Sequence, residues 1–141
     1  MPSRRGPSPT IIAQIHNRMV TAGEDQLYER IAQALPTTVS DQIGGGAALR
    51  LSSPVEFGRK FYHTKIRPGL HQGICVKANF CKNIKKYKTL AKITTLVAGA
   101  AADVVTSSCG LPPVAGRGAE LVVDISATAL KEGLAKLCQC G

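Results

Sequence analysis

The sequence predicts an α+β fold: an N-terminal helix pair, a central short antiparallel β-hairpin or meander, and a C-terminal helical hairpin. Three observations predict it. Apolar residues recur at helical spacing near the start of the chain and again from about residue 82 onward. Between these regions, Pro68-Gly69 carries the signature of a type II turn, in which Pro presets φ and Gly accepts a positive one. Beyond that turn Ile74, Val76, Ala78 and Phe80 alternate with Cys75, Lys77 and Asn79, the period of a strand with one face on a core.

Taken in order, residues 1–9 read as a flexible basic arm, because Pro2, Gly6, Pro7 and Pro9 break regular structure around Arg4 and Arg5. Residues 10–141 read as one globular α+β domain. Ile11, Ile12, Ile15 and Met19 place the first helix over 10–20. Thr21 and Glu24 fit a capping box for a second helix that carries Leu27, Ile31 and Leu35 inward and stops at Pro36. Residues 43–46 are a glycine loop without the Lys-Ser/Thr that a phosphate loop needs. A short strand is expected over 47–51, and the hairpin strands over 57–67 and 70–80. From Lys82 the period becomes helical through Ile84, Tyr87, Ala91, Thr94 and Ala98. A last helix is expected over 119–137, with Val123, Ala127, Leu130, Leu134 and Leu137 as its stripe.

The composition is that of a globular chain, with 44% hydrophobic and 19% charged residues in 141. The start of the chain lacks the apolar region of a signal peptide. The nearly apolar run 93–105 is shorter than the roughly 20 residues of a membrane span. The expected location is therefore cytoplasmic, with signal-independent export left open. Five cysteines, an odd number without a signal peptide, read as free thiols in a reducing compartment. His71, Cys75, Cys81, Cys138 and Cys140 are ligand types for zinc, but no Cys-x-x-Cys pair exists among them, and no metal or cofactor is expected.

The net charge of +9 is not spread evenly. Residues 57–102 hold ten basic residues and no acidic one, together with five of the six aromatic rings, while the flanking regions nearly balance. Cations interleaved with rings suit a nucleic acid: ammonium and guanidinium groups displace counterions from phosphates, and rings stack on unpaired bases. The expected contact set is Arg59, Lys60, Tyr62, Lys65, Arg67, Lys77, Lys82, Lys85, Lys86, Tyr87, Lys88 and Lys92. The resulting expectation is a non-enzymatic, largely sequence-nonspecific nucleic-acid-binding protein with a packaging, coat or accessory role. No zinc-finger spacing, RNP motif or KH-type loop accompanies it.

Two alternatives stand beside that expectation. His63, Lys65, Arg67 and His71 cluster around Pro68-Gly69 and supply the residue types of a metal-independent ribonuclease, including a toxin domain, with His as acid and base and cations holding the phosphorane. The basic segment followed by an apolar, Gly- and Ala-rich helix also fits a membrane-active module on an anionic bilayer, or one that binds an acidic protein, alone or as an oligomer.

Overall fold

The computed structural model describes residues 9–140. The basic arm with Arg4 and Arg5 lies outside the described residues except for Pro9. Among the described residues the secondary structure is helical throughout, with no strand, so the expected α+β class is corrected to all-α. Helix α1 (Pro9–Thr21) and α2 (Glu24–Ala34) lead into a 3-10 segment Thr37–Gln42 and a short α3 (Gly46–Ser52), where a strand was expected. Helix α4 (Pro54–Phe61) continues without a break through a π-helical stretch Tyr62–Ile66, the single turn α5 (Arg67–Leu70) and a second π-helical stretch His71–Lys77. After an irregular loop come α6 (Leu90–Cys109), α7 (Gly116–Glu132) and α8 (Leu134–Cys138).

The expected hairpin is therefore one helical rod over residues 54–77. Pro68 lacks an N–H, and its ring crowds the carbonyl four residues back, which ordinarily breaks a helix. Here it sits in the first turn of α5, between two stretches whose wider i→i+5 register relieves that crowding. The rod's inward residues are Phe57, Phe61, Tyr62, Ile66, Leu70 and Ile74, each at most 1% exposed. Ser53 begins the rod by accepting the Glu56 N–H, with Pro54 at the first helical position. The rod lies close on α2 because position 58 is glycine: a Cβ there would meet the Tyr28 carbonyl oxygen at 1.9 Å.

Helix α7 is the centre of the molecule. Every residue from Leu121 to Ala129 is buried, and α1, α2 and α6 pack around it. An all-round buried helix cannot show a single apolar stripe, so the expected stripe identified only part of its contact surface. Asp124, 1% exposed, is the charged residue inside this layer. It is held by Arg18 of α1 and by Arg30 of α2, whose Nε donates at 3.1 Å. One carboxylate thus ties both N-terminal helices to the core. The expected capping box does not form: Thr21 donates back to the Asn17 carbonyl, and Gly23 occupies the N-cap of α2.

Two disulfides, Cys75–Cys138 and Cys81–Cys140, fasten the C-terminal turn to the end of the rod and the loop after it. Closing loops of 63 and 59 residues contributes about 4 kcal/mol for one such bond in the chain-entropy account. The expectation of free thiols is corrected for these four cysteines. Among the described residues the remaining one, Cys109, is buried and unpaired, which is how an odd number coexists with a disulfide framework. Burial pushes its thiol up to about 11.

A stapled lysine loop as candidate functional site

The loop between the rod and α6 is built by local polar bonds and by the staples. Asn79 takes a positive φ of 52°, a conformation Asn tolerates better than most residues. The Asn83 amide donates to the carbonyls of Ala78 and Asn79, 3.1 Å each. One 3-10 turn, Ile84–Lys86, follows. Cys81 anchors the loop to Cys140. Thr89 then caps α6 by accepting the Lys92 N–H at 3.2 Å. The helix expected from Lys82 thus starts at Leu90, and only Lys92 of the five lysines from 82 to 92 lies within it. A row of lysines along a helix start is replaced by lysines on a tethered loop.

Lys77, Lys82, Lys85, Lys86, Lys88 and Lys92 are all exposed. Among the described residues none of their side chains makes an ion pair or hydrogen bond. Lys60 and Lys65 on the rod are exposed too. The two arginines of the basic segment are engaged elsewhere. Arg59 binds Asp25 and Glu56 and lies over the Tyr28 ring. Arg67 grips Glu132 with both guanidinium edges, its Nε 3.0 Å from one carboxylate oxygen.

The rings are not part of this surface. Tyr62 is 1% exposed in the core, and Tyr87 is half-buried against Phe80 at 5.7 Å between centroids. The expected stacking platform of Tyr62 and Tyr87 is corrected on that ground, and with it the picture of cations interleaved with exposed rings. What the loop and the helix ends flanking it expose beside lysine is aliphatic. Val76, Ile84 and Leu90 are three of the six large hydrophobics exposed among the described residues, and all three fall within the lysine-rich stretch. The expected core faces of the second strand and of the helix from Lys82 included Val76 and Ile84, and both are corrected to exposed; Leu90 belonged to no expected stripe.

The proposed ribonuclease cluster is only half assembled. His63 and Arg67 line a cleft of about 550 Å³ between α2, the first π-helical stretch and the C-terminal end of α7. Lys65 is exposed and His71 half-buried, and neither lines it. No second imidazole stands opposite His63 there; its Nε2 meets the Tyr28 hydroxyl at 3.3 Å. Burial, then the nearby Glu24 carboxylate, pushes Tyr28 up to about 12. The four cysteines weighed as zinc ligands are bonded to one another. Compared with protein-family models, curated proteins and solved structures, the chain matches none of them.

Proposed function

We propose that the protein binds anionic membrane surfaces through the stapled loop and the helix ends that flank it, with six lysines facing lipid headgroups and Val76, Ile84 and Leu90 entering the interface. The observation that carries this reading is what the loop exposes: lysine and aliphatic side chains, no carboxylate and no fully exposed ring. Base stacking needs exposed rings, and bidentate phosphate recognition favours arginine. A bilayer interface needs neither; it rewards diffuse positive charge with adjacent apolar side chains. Lysines near an anionic leaflet contribute ~1 kcal/mol each, so the loop's charge alone supports binding of about tens of micromolar. The disulfides support an oxidising environment as the place of action. Helix α6 is, by length and composition, apolar enough to cross a membrane, although in this fold it packs on α7.

The test is co-sedimentation with vesicles of phosphatidylglycerol and phosphatidylcholine across a salt series, beside a short single-stranded RNA under the same conditions. Binding to anionic vesicles is expected to weaken with salt and to fall at least tenfold when Lys82, Lys85, Lys86 and Lys88 become Gln together. Ile84→Ser with Leu90→Ser is expected to weaken vesicle binding severalfold. RNA binding that matches vesicle binding and ignores the Ile84 and Leu90 changes would overturn the membrane reading in favour of a simple polyanion site.

A further inference from the structure

The cleft lined by His63 and Arg67 has a feature that the lysine loop does not explain. The Tyr62 hydroxyl is buried and, among the described residues, has no hydrogen-bond partner. A buried polar group left unmade costs about 1–3 kcal/mol, so a native structure retains one where something else satisfies it. Tyr62 opens the first π-helical stretch, and such insertions recur at functional sites because they re-aim a side chain that a regular helix would seat elsewhere. Both Phe61 and Tyr62 face inward in consequence, and Tyr62 also lines the cleft.

The remaining walls define what would fit. Leu27 and the Tyr28 and Tyr62 rings give an apolar flank. The charged lining consists of Arg67, Lys131 and Lys136 against Glu24 and Glu132, which leaves one net positive charge. Most of it is already used. Arg67 and Glu132 hold each other, Lys131 donates to the Met19 carbonyl at 3.0 Å, and Glu24 accepts from Tyr28 at 3.5 Å. Lys136 is exposed, and its ammonium makes no bond among the described residues. The Lys136 ammonium and the Tyr62 hydroxyl remain as unmatched donors beside the His63 ring. A dianion such as phosphate exceeds the single net positive charge of the lining. A monoanion with an acceptor pair and an apolar body matches both the charge and the donors. The volume, about 550 Å³, lies in the range of small-molecule sites.

From this juxtaposition we infer that the cleft is a binding site for a small organic monocarboxylate, whose carboxylate takes the Tyr62 hydroxyl and Lys136 and whose apolar body lies along Leu27 and Tyr28. The hydroxyl is closed off from solvent in this structure, so entry requires a lining side chain to turn aside, and Lys131 and Glu24 are exposed enough to do so.

The experiment is an NMR titration of the full chain with hexanoate, with hexanamide as the neutral isostere and inorganic phosphate as the dianion. Hexanoate is expected to shift Tyr62 and His63 signals saturably, and the other two are expected to leave them in place. Tyr62→Phe keeps the ring and removes the hydroxyl. It is expected to weaken hexanoate about tenfold while leaving the thermal midpoint unchanged or higher, which a merely structural hydroxyl would not do. Lys136→Gln, on the surface, is expected to weaken binding about threefold and decides the matter if Tyr62→Phe does not fold. The inference is overturned by no saturable response to hexanoate, by an equal response to hexanamide or phosphate, or by unchanged affinity in both variants.

Discussion

At the scale of single residues, two tyrosines make the fold sensitive to alkali. Burial and the neighbouring Glu24 carboxylate hold Tyr28 up to about 12, and burial raises Tyr62 as well. In an unfolded chain both phenols lose their protons near 10. Above that pH the unfolded state binds fewer protons than the folded one, so stability is complete below about 10 and is lost as pH rises through the folded values. The expected slope is about 1.4 kcal/mol per pH unit for each phenol. Thermal midpoints measured between pH 9 and 12 should fall, and Tyr28→Phe should halve the slope between 10 and 12. A flat profile would mean that these hydroxyls are open to solvent. The sequence shows none of this, because a tyrosine in an apolar stripe does not announce where its oxygen ends up.

At the scale of elements, the rod rests on Gly58. Replacing it by Ala drives a methyl into the Tyr28 carbonyl, with backbone rather than a flexible side chain in the way. Gly58→Ala is expected to cost more than about 2 kcal/mol, read from the shift of a urea midpoint at constant slope. The two N-terminal helices were legible because Ile11, Ile15 and Met19, and then Leu27, Ile31 and Leu35, repeat at helical spacing; α6 was legible only in part, since its expected start at Lys82 is eight residues early. The rod was not legible, for two physical reasons. Pro68-Gly69 has the same local chemistry in a turn and in the first turn of a helix that follows a π-helical stretch. The residues that report the helix, Phe57, Phe61, Ile66, Leu70 and Ile74, are spaced by four, five, four and four. The single five is the widened turn itself, and it spoils a search for a 3.6-residue period. The strand-like alternation at 74–80 arises where the second π-helical stretch gives way to the loop. Of the proposed membrane-binding surface, the lysines were legible from charge alone. The inward rings and the outward Val76, Ile84 and Leu90 were not, since exposure depends on which way the loop is tied.

At the scale of the whole molecule, the two disulfides decide how the loop is presented. Reduction removes the tethers at Cys75 and Cys81 and is expected to leave the core around α7 in place. The reduced protein is expected to retain its far-UV helical signal but to unfold several kcal/mol more easily, with a thermal midpoint lowered by roughly 10 °C or more. Its affinity for anionic vesicles should change as well, because an untied loop must be ordered on binding. Calorimetry and vesicle binding with and without a thiol reductant measure both effects. Identical behaviour in the two redox states would show that the staples are not part of the working surface.

The central position of α7 also sets a timetable for synthesis. The helix that α1 and α2 pack against is encoded nearly a hundred residues after them. While the ribosome is still translating the middle of the chain, the emerging N-terminal helices have no core to dock on, and Asp124 has not yet arrived to receive Arg18 and Arg30. Cys75 and Cys81 wait less long, as each partner emerges about 60 residues later, a matter of seconds at roughly 5–20 residues per second. During that interval the basic segment is untied and its neighbours' apolar faces are uncovered. The nascent chain is thus an open, cationic, partly apolar polymer before it is a folded protein. Its ten-to-zero excess of positive charge over residues 57–102 serves at that stage as self-repulsion, keeping unfinished copies apart until the last helices close the core.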